Sequence, residues 1–212
     1  CSRDWSSDVC SSDLHLLITD RKSQRVVGCY RLMSSHFIEK FYSEAEFNLT
    51  HFLAEERAPK LELGRACILP EHRNGSVIQL LWRGITDYMK KTDARFLLGC
   101  SSVQTIQPKA IAALINRGDQ ESWFEDHYRI RPTMKYHPIN HGVNLTPKLP
   151  LPGQEDCSLA IDIPPLVYSY LKAGAKLAPL PAVDLEFGCI DFFTLLDREK
   201  MHPLFLRRYF GH

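Results

Sequence analysis

Apolar and polar positions follow two rhythms along this chain, and the switches between them mark its elements. His15 to Asp20 and Val26 to Met33 read as strands, and the polar Arg21-Lys22-Ser23-Gln24 between them predicts an antiparallel hairpin. Leu61 to Ile68 is the next strong strand. From Ser76 to Lys91 the apolar residues Val77, Leu81, Ile85, Tyr88 and Met89 fall at helical spacing, which predicts a helix with one face on the sheet. Phe96 to Cys100 is almost wholly apolar, as a strand at a sheet centre is. Pro108 to Arg117 has Pro in its first turn and Gly118 behind it, the punctuation of a helix start and stop. A second such helix runs from Pro164-Pro165 through Ala173 to Gly174, and Cys189 to Leu196 is the last strand. Between Gln120 and Ile161 the periodicity fails. That stretch, rich in Pro, His and aromatic residues and broken at Leu149-Pro150-Leu151-Pro152-Gly153, is expected to form an irregular excursion (120–161) rather than a domain of its own.

The most informative run is Leu61 to Lys91, a buried strand, a polar turn and an amphipathic helix. Glu62 and Arg65 sit inside the otherwise apolar strand, where a charge is expensive unless paired or used. Beyond it, Glu71-His72-Arg73-Asn74-Gly75 forms a turn, and the helix starting near Ser76 points its free N–H groups into it. A phosphate fits there.

This block resembles the pyrophosphate-binding strand, loop and helix of the GNAT acyltransferase superfamily. Its closest likeness is to the branch that takes long acyl chains from acyl carrier protein: the L-ornithine N-alpha-acyltransferases that make lyso-ornithine lipid, the N-acyl-amino-acid synthases and, more distantly, the acyl-homoserine-lactone synthases. The segments His15 to Met33, Phe41 to Leu49, Phe96 to Ser102 and Pro164 to Leu196 extend the likeness over nearly everything after residue 14. The resemblance implies an α+β fold, a mixed sheet with flanking helices in three layers. It also implies a cytoplasmic N-acyltransferase with no tightly bound cofactor, whose co-substrate is an acyl-phosphopantetheine on acyl carrier protein or CoA. The favoured reaction moves a long acyl chain, 3-hydroxylated or not, to the alpha-amine of ornithine. Other acceptors stay open, among them glycine, tyrosine or a lactone-forming amino acid, as does an inactive fragment that only binds acyl carrier protein. One departure bears on the donor: acetyl-CoA-using relatives carry more glycines in this loop, whereas Arg73-Asn74-Gly75-Ser76-Val77 keeps one, which suits the single phosphodiester of a carrier-bound arm.

Residues 1–14 have no apolar periodicity and no signal-peptide pattern. Asp4 to Leu14 match one reading frame of a common sequencing adapter, so this segment is expected to be an artefact outside the fold, with 15–212 forming one acyltransferase domain. By the resemblance, a first strand and two helices that precede His15 in the family are expected to be missing, together with acidic residues near the amine site.

Composition narrows the rest. At 212 residues and 44% hydrophobic content the chain can bury one sizeable core, and a net charge of +1 gives no basic face for nucleic acid. No apolar run approaches the roughly 18 residues of a membrane span. Outside the artefact, Cys29, Cys67, Cys100, Cys157 and Cys189 are scattered and odd in number, and read as reduced core thiols suited to the cytoplasm. His137-x-x-x-His141 has metal-ligand spacing, but Pro138 and Gly142 oppose a helix there, so no metal is expected.

Candidate chemistry then falls on a few side chains. Amide formation from a thioester needs a neutral amine, so a carboxylate must accept its proton directly or through water; Glu62 is the first candidate, with Arg65 as partner. Alternation places the two on opposite strand faces, so a shared role requires a bulge; the alternative is a salt bridge that stabilises the strand. Arg73, Asn74, Gly75 and Ser76 are the expected phosphate site. The thioester is expected in the gap between the Leu61 and Phe96 strands, polarised by backbone N–H near Cys67 and Ile68. The resemblance implies a substrate or carrier role for Arg31, the alternative being a surface Arg at a strand end, while Glu44 and Glu46 either bind the ammonium groups of a diamino acid or belong to a solvated loop. Asn48 stands where the ornithine branch often has Asp. The basic, aromatic tail Leu204 to Phe210 either touches an anionic surface, as a peripheral contact at the inner membrane, or packs on the sheet.

Overall fold

The computed structural model describes residues 13–142 and 163–211. In chain order it forms strands β1 (Asp13–Thr19), β2 (Val26–Ser34) and β3 (Phe47–Asn48), then helix α1 (Thr50–Glu55) and strand β4 (Lys60–Ile68). Helix α2 (Ser76–Thr92), strand β5 (Phe96–Val103), helix α3 (Pro108–Gln120) and strand β6 (Arg131–Pro132) follow. Helix α4 (Pro165–Ala173), strands β7 (Lys176–Leu177), β8 (Ala182–Asp184) and β9 (Cys189–Asp197), and helix α5 (Pro203–Phe210) complete it. Contacts divide the chain into two compact units, Cys1–Tyr42 with Ala58–Leu98 and Pro203–His212, and Ser43–Arg57 with Gly99–His202.

The first unit is built on the predicted hairpin. β1 and β2 pair antiparallel from Asp13↔Met33 to Thr19↔Val26, so the strand begins two residues before His15, carried by backbone pairing. Asp20 fastens the turn by accepting from the Ser23 N–H and hydroxyl. β2 then pairs antiparallel with β4, and Lys60–Glu62 of β4 pair in parallel with Phe96–Leu98 of β5. α2 follows most of its predicted stripe: Val77, Leu81, Ile85 and Met89 are buried, Tyr88 is only half-buried, Trp82 is buried in addition, and the helix lies on β1 and β2. The Leu204 tail is helical and packs on α2 instead of on the sheet. Phe205 meets the Trp82 ring edge-on at 4.7 Å, and Lys90 donates to the Tyr209 carbonyl. The physical reason is that α2 turns Trp82 away from its sheet face, and that apolar surface needs a cover.

The second unit gathers β9, β7 and β8 in antiparallel pairs. Its core includes Val103, Ile111, Leu114, Trp123, Leu177, Val183, Ile190 and Phe192. α4 ends as expected at Gly174, whose φ of +102° only glycine adopts without strain. α3 runs through Gly118 to Gln120, so that glycine does not stop the helix. It admits the Phe124 ring, which a Cβ at this position would meet at 2.4 Å. The described part of the 120–161 stretch is packed: Trp123, Tyr128 and Ile130 are buried, β6 pairs with β3, and the Tyr128 hydroxyl donates to Glu56. Its remainder, including Leu149 to Gly153, lies outside the described residues, as do the first twelve residues and Cys157.

Candidate active site

β4 changes partners along its length, and this creates the site. Its ladder with β5 ends at Glu62, while pairing with β2 continues to Ile68; Lys60 to Leu63 are buried, and Arg65, Ala66 and Cys67 are exposed. Where the ladder ends, β4 gains a residue. Arg31 faces Gly64 and Cys29 faces Cys67, two steps on β2 against three on β4, and Arg65 takes a left-handed φ of +53°. That conformation costs a side-chain-bearing residue about 1–2 kcal/mol, which the surrounding pairing must offset.

The bulge reverses the alternation, so Glu62 and Arg65 address one residue, Tyr42. The Tyr42 N–H donates to Glu62 Oε2 at 2.6 Å, and the Arg65 guanidinium stands 5.5 Å from the centre of the Tyr42 ring with Nη2 3.5 Å from its hydroxyl. Arg31 reaches the same ring at 4.8 Å. Glu62 itself is 3% exposed whereas Tyr42 is 51% exposed, so any proton that Glu62 receives must come through a bridging water or past Tyr42. Glu62 and Arg65 thus share Tyr42 as a common contact. Tyr42 and Gly64 lie inside the segments that carry the resemblance but are not singled out by sequence reasoning, because both matter only once the bulge exists.

The loop closes on the end of β4. Arg73 Nε donates to the Ile68 carbonyl at 3.0 Å, and Asn74 Oδ1 accepts from the Ser76 N–H at 3.1 Å. Gly75 adopts φ +89° immediately before α2, with open space where a Cβ would point. α2 has no acidic residue in its first turn, so the helix dipole and its unpaired N–H groups are open to an anion.

A family profile described as an acetyltransferase (GNAT) domain matches residues 8–83. The L-ornithine N(alpha)-acyltransferase of Rhodobacter capsulatus is 30% identical over 200 residues, covering 88% of this chain and 72% of that protein. The chain belongs to the L-ornithine N(alpha)-acyltransferase family. The Brucella abortus member is 28% identical over 204 residues, covering 92% of this chain and 70% of its own. Among solved structures, the CoA-dependent acyl-homoserine lactone synthase BjaI, with SAM and isopentyl-CoA, aligns with a TM-score of 0.47 at 13% identity over 99% of this chain and 68% of that one. An aminoglycoside 6'-N-acetyltransferase complexed with coenzyme A aligns with a TM-score of 0.41 at 9% identity, over 88% and 73%. The chain is an acyltransferase of GNAT fold, with a mixed sheet and flanking helices.

In this N-acyltransferase the other expected side chains fall in the second unit or elsewhere on β4. Glu44 and Glu46 are half-buried in and just after a 3-10 turn (Tyr42–Ala45), and the Glu46 carbonyl accepts from the Thr133 N–H. Asn48 Oδ1 accepts from the Thr50 N–H at the start of α1. Asp191, not singled out by the sequence, is buried on β9 and accepts from the Ser102 hydroxyl and the Cys189 thiol. Burial raises its carboxyl above the ordinary carboxylate value, and burial beside Asp191 pushes the Cys189 thiol up to about 12. The thiols are not uniformly core: Cys189 is buried, Cys29 and Cys100 are half-buried, and Cys67 is exposed because β4 has lost β5 at that point. His137 Nδ1 accepts from the Ile139 N–H and His141 Nε2 contacts the Lys135 carbonyl, so both rings serve a local 3-10 turn (Pro138–His141). No helix among the described residues is long and apolar enough to cross a membrane.

Proposed function

We propose that this acyltransferase moves a long acyl chain, 3-hydroxylated or not, from acyl carrier protein to the alpha-amine of ornithine. The observation that carries this reading is the bulge in β4, which brings a carboxylate and two guanidiniums to one exposed tyrosine beside a strand edge whose ladder with β5 has ended. N–H groups of successive strand residues point to opposite edges, so one of Cys67 and Ile68 points away from β2; that N–H polarises the thioester carbonyl. The pantetheine phosphate lies at Arg73, Asn74, Gly75 and Ser76, where a single glycine leaves fewer backbone donors than a pyrophosphate needs. Glu62 accepts the amine proton through water. The amine attacks the carbonyl carbon, the tetrahedral intermediate expels the pantetheine thiolate, and the proton leaves toward Glu62 while the thiolate is protonated from solvent.

The relatives named L-ornithine N(alpha)-acyltransferase support this acceptor. On α5, Leu204 is 68% exposed and Arg207 and Arg208 follow it at helical spacings of three and four, so one outward face carries an apolar side chain between two cations. That face suits peripheral contact with an anionic membrane, where a lipid product is released. Incubation with long-chain acyl carrier protein and L-ornithine, followed by mass spectrometry, tests the reaction. Nα-acylornithine is the expected product; acylation of another amino acid in place of ornithine would reject the acceptor.

A further inference from the structure

Arg31 lies mid-strand in β2, half-buried, and its Nε is buried without a hydrogen-bond acceptor. Its guanidinium crosses β4 over Gly64, where an added Cβ would stand 3.2 Å from Nη2 and 3.8 Å from Cζ. Glycine at this position keeps the crossing open. The guanidinium then arrives at Tyr42 together with that of Arg65. The carboxylate beside them, Glu62, accepts the Tyr42 N–H through Oε2, and the Arg31 Nε stays without an acceptor. Two like charges sharing one exposed ring repel each other, and a buried N–H without an acceptor is destabilising; a single anion held by both groups relieves both costs.

The shape of that anion follows from its partners. Guanidiniums form paired N–H bonds with planar two-oxygen groups, and the floor of the site is an aromatic ring that accommodates a flat carboxylate. We infer that Arg31 and Arg65 hold the alpha-carboxylate of the amino-acid acceptor against Tyr42, with Gly64 keeping the path of Arg31 clear. This rests on the proposed transfer to an amino acid and gives it a specificity determinant. In an alpha-amino acid the amine is one carbon from the carboxylate, so fixing the latter on Tyr42 brings the amine to the residue whose backbone Glu62 already holds.

The same guanidinium chemistry recognises a phosphate, so the test separates the two sources. Calorimetric titration of the full chain compares L-ornithine, L-ornithinamide, which lacks the carboxylate, and 4'-phosphopantetheine. Ornithinamide is expected to bind at least about tenfold more weakly than ornithine, the scale of one lost charge-assisted contact. Arg31→Met should shrink that difference to what Arg65 alone supplies while leaving 4'-phosphopantetheine binding and the melting temperature unchanged, and Arg31→Lys should restore it only in part, having charge without the planar fork. Equal binding of ornithine and its amide by the wild-type chain would overturn the inference even if no variant folds. So would loss of 4'-phosphopantetheine binding in Arg31→Met, or the absence of binding by any alpha-amino acid. Binding of glycine or tyrosine in place of ornithine, with the same loss on amidation, would reject ornithine as acceptor and leave the carboxylate site standing.

Discussion

At the scale of single residues, Glu62 and Arg65 show what spacing can and cannot convey. Two charges in an apolar strand are legible as an anomaly, and their three-residue offset demands a bulge; Tyr42, the residue they meet, lies 20 positions away and is invisible until the strand is folded. Glu62→Gln separates proton transfer from structure. A glutamine carbonyl can still accept the Tyr42 N–H, so the melting temperature should hold while single-turnover acyl transfer falls by roughly 10²- to 10⁴-fold. A stable variant with near-normal turnover would take Glu62 out of the chemistry. Asp191 makes a different point: in Cys189-Ile190-Asp191-Phe192-Phe193 nothing local shows that the carboxyl is buried or that Ser102 will meet it. Its folded pKa is raised by burial above the ordinary 3.8, so between that value and the raised one the folded chain holds a proton that the unfolded chain releases. Stability should therefore rise as pH falls through this window, and Asp191→Asn, with no proton to release, should not follow. Parallel pH profiles of melting temperature for the two proteins would contradict this.

At the scale of elements, the periodic segments were legible and their ends were less so. β2, β4, α2, α4 and β9 form within one or two residues of the positions their patterns predict, because a run of core-facing side chains specifies both period and face. Short pieces such as β3, β6, β7 and β8 have too few residues to carry a period, and only pairing defines them. Gly118 misleads for a related reason, since a helix-stopping glycine and one that makes room for a ring look alike in sequence. The structure distinguishes them, and a substitution tests the distinction. Alanine gains about 1 kcal/mol over glycine in helix propensity, but forcing Phe124 away from a 2.4 Å overlap costs typically 1–3 kcal/mol, so Gly118→Ala should lower the melting temperature. A higher melting temperature would mean that Phe124 is free to move aside.

At the scale of the whole molecule, the division into two units is hidden in the sequence because neither unit is a continuous stretch: 43–57 belongs with 99–202, and 203–212 returns to the first. No Pro- or Gly-rich linker marks such crossings. The family, in contrast, is legible in the sequence, because its separated blocks occur in order. The donor is where loop chemistry and whole-molecule function meet. The most direct measurement is the single-turnover rate of acyl transfer to L-ornithine from long-chain acyl carrier protein against that from acetyl-CoA. Rapid transfer from the carrier and slow transfer from acetyl-CoA are expected; equal rates from the two donors, or transfer from acetyl-CoA alone, would rule out a carrier-bound donor.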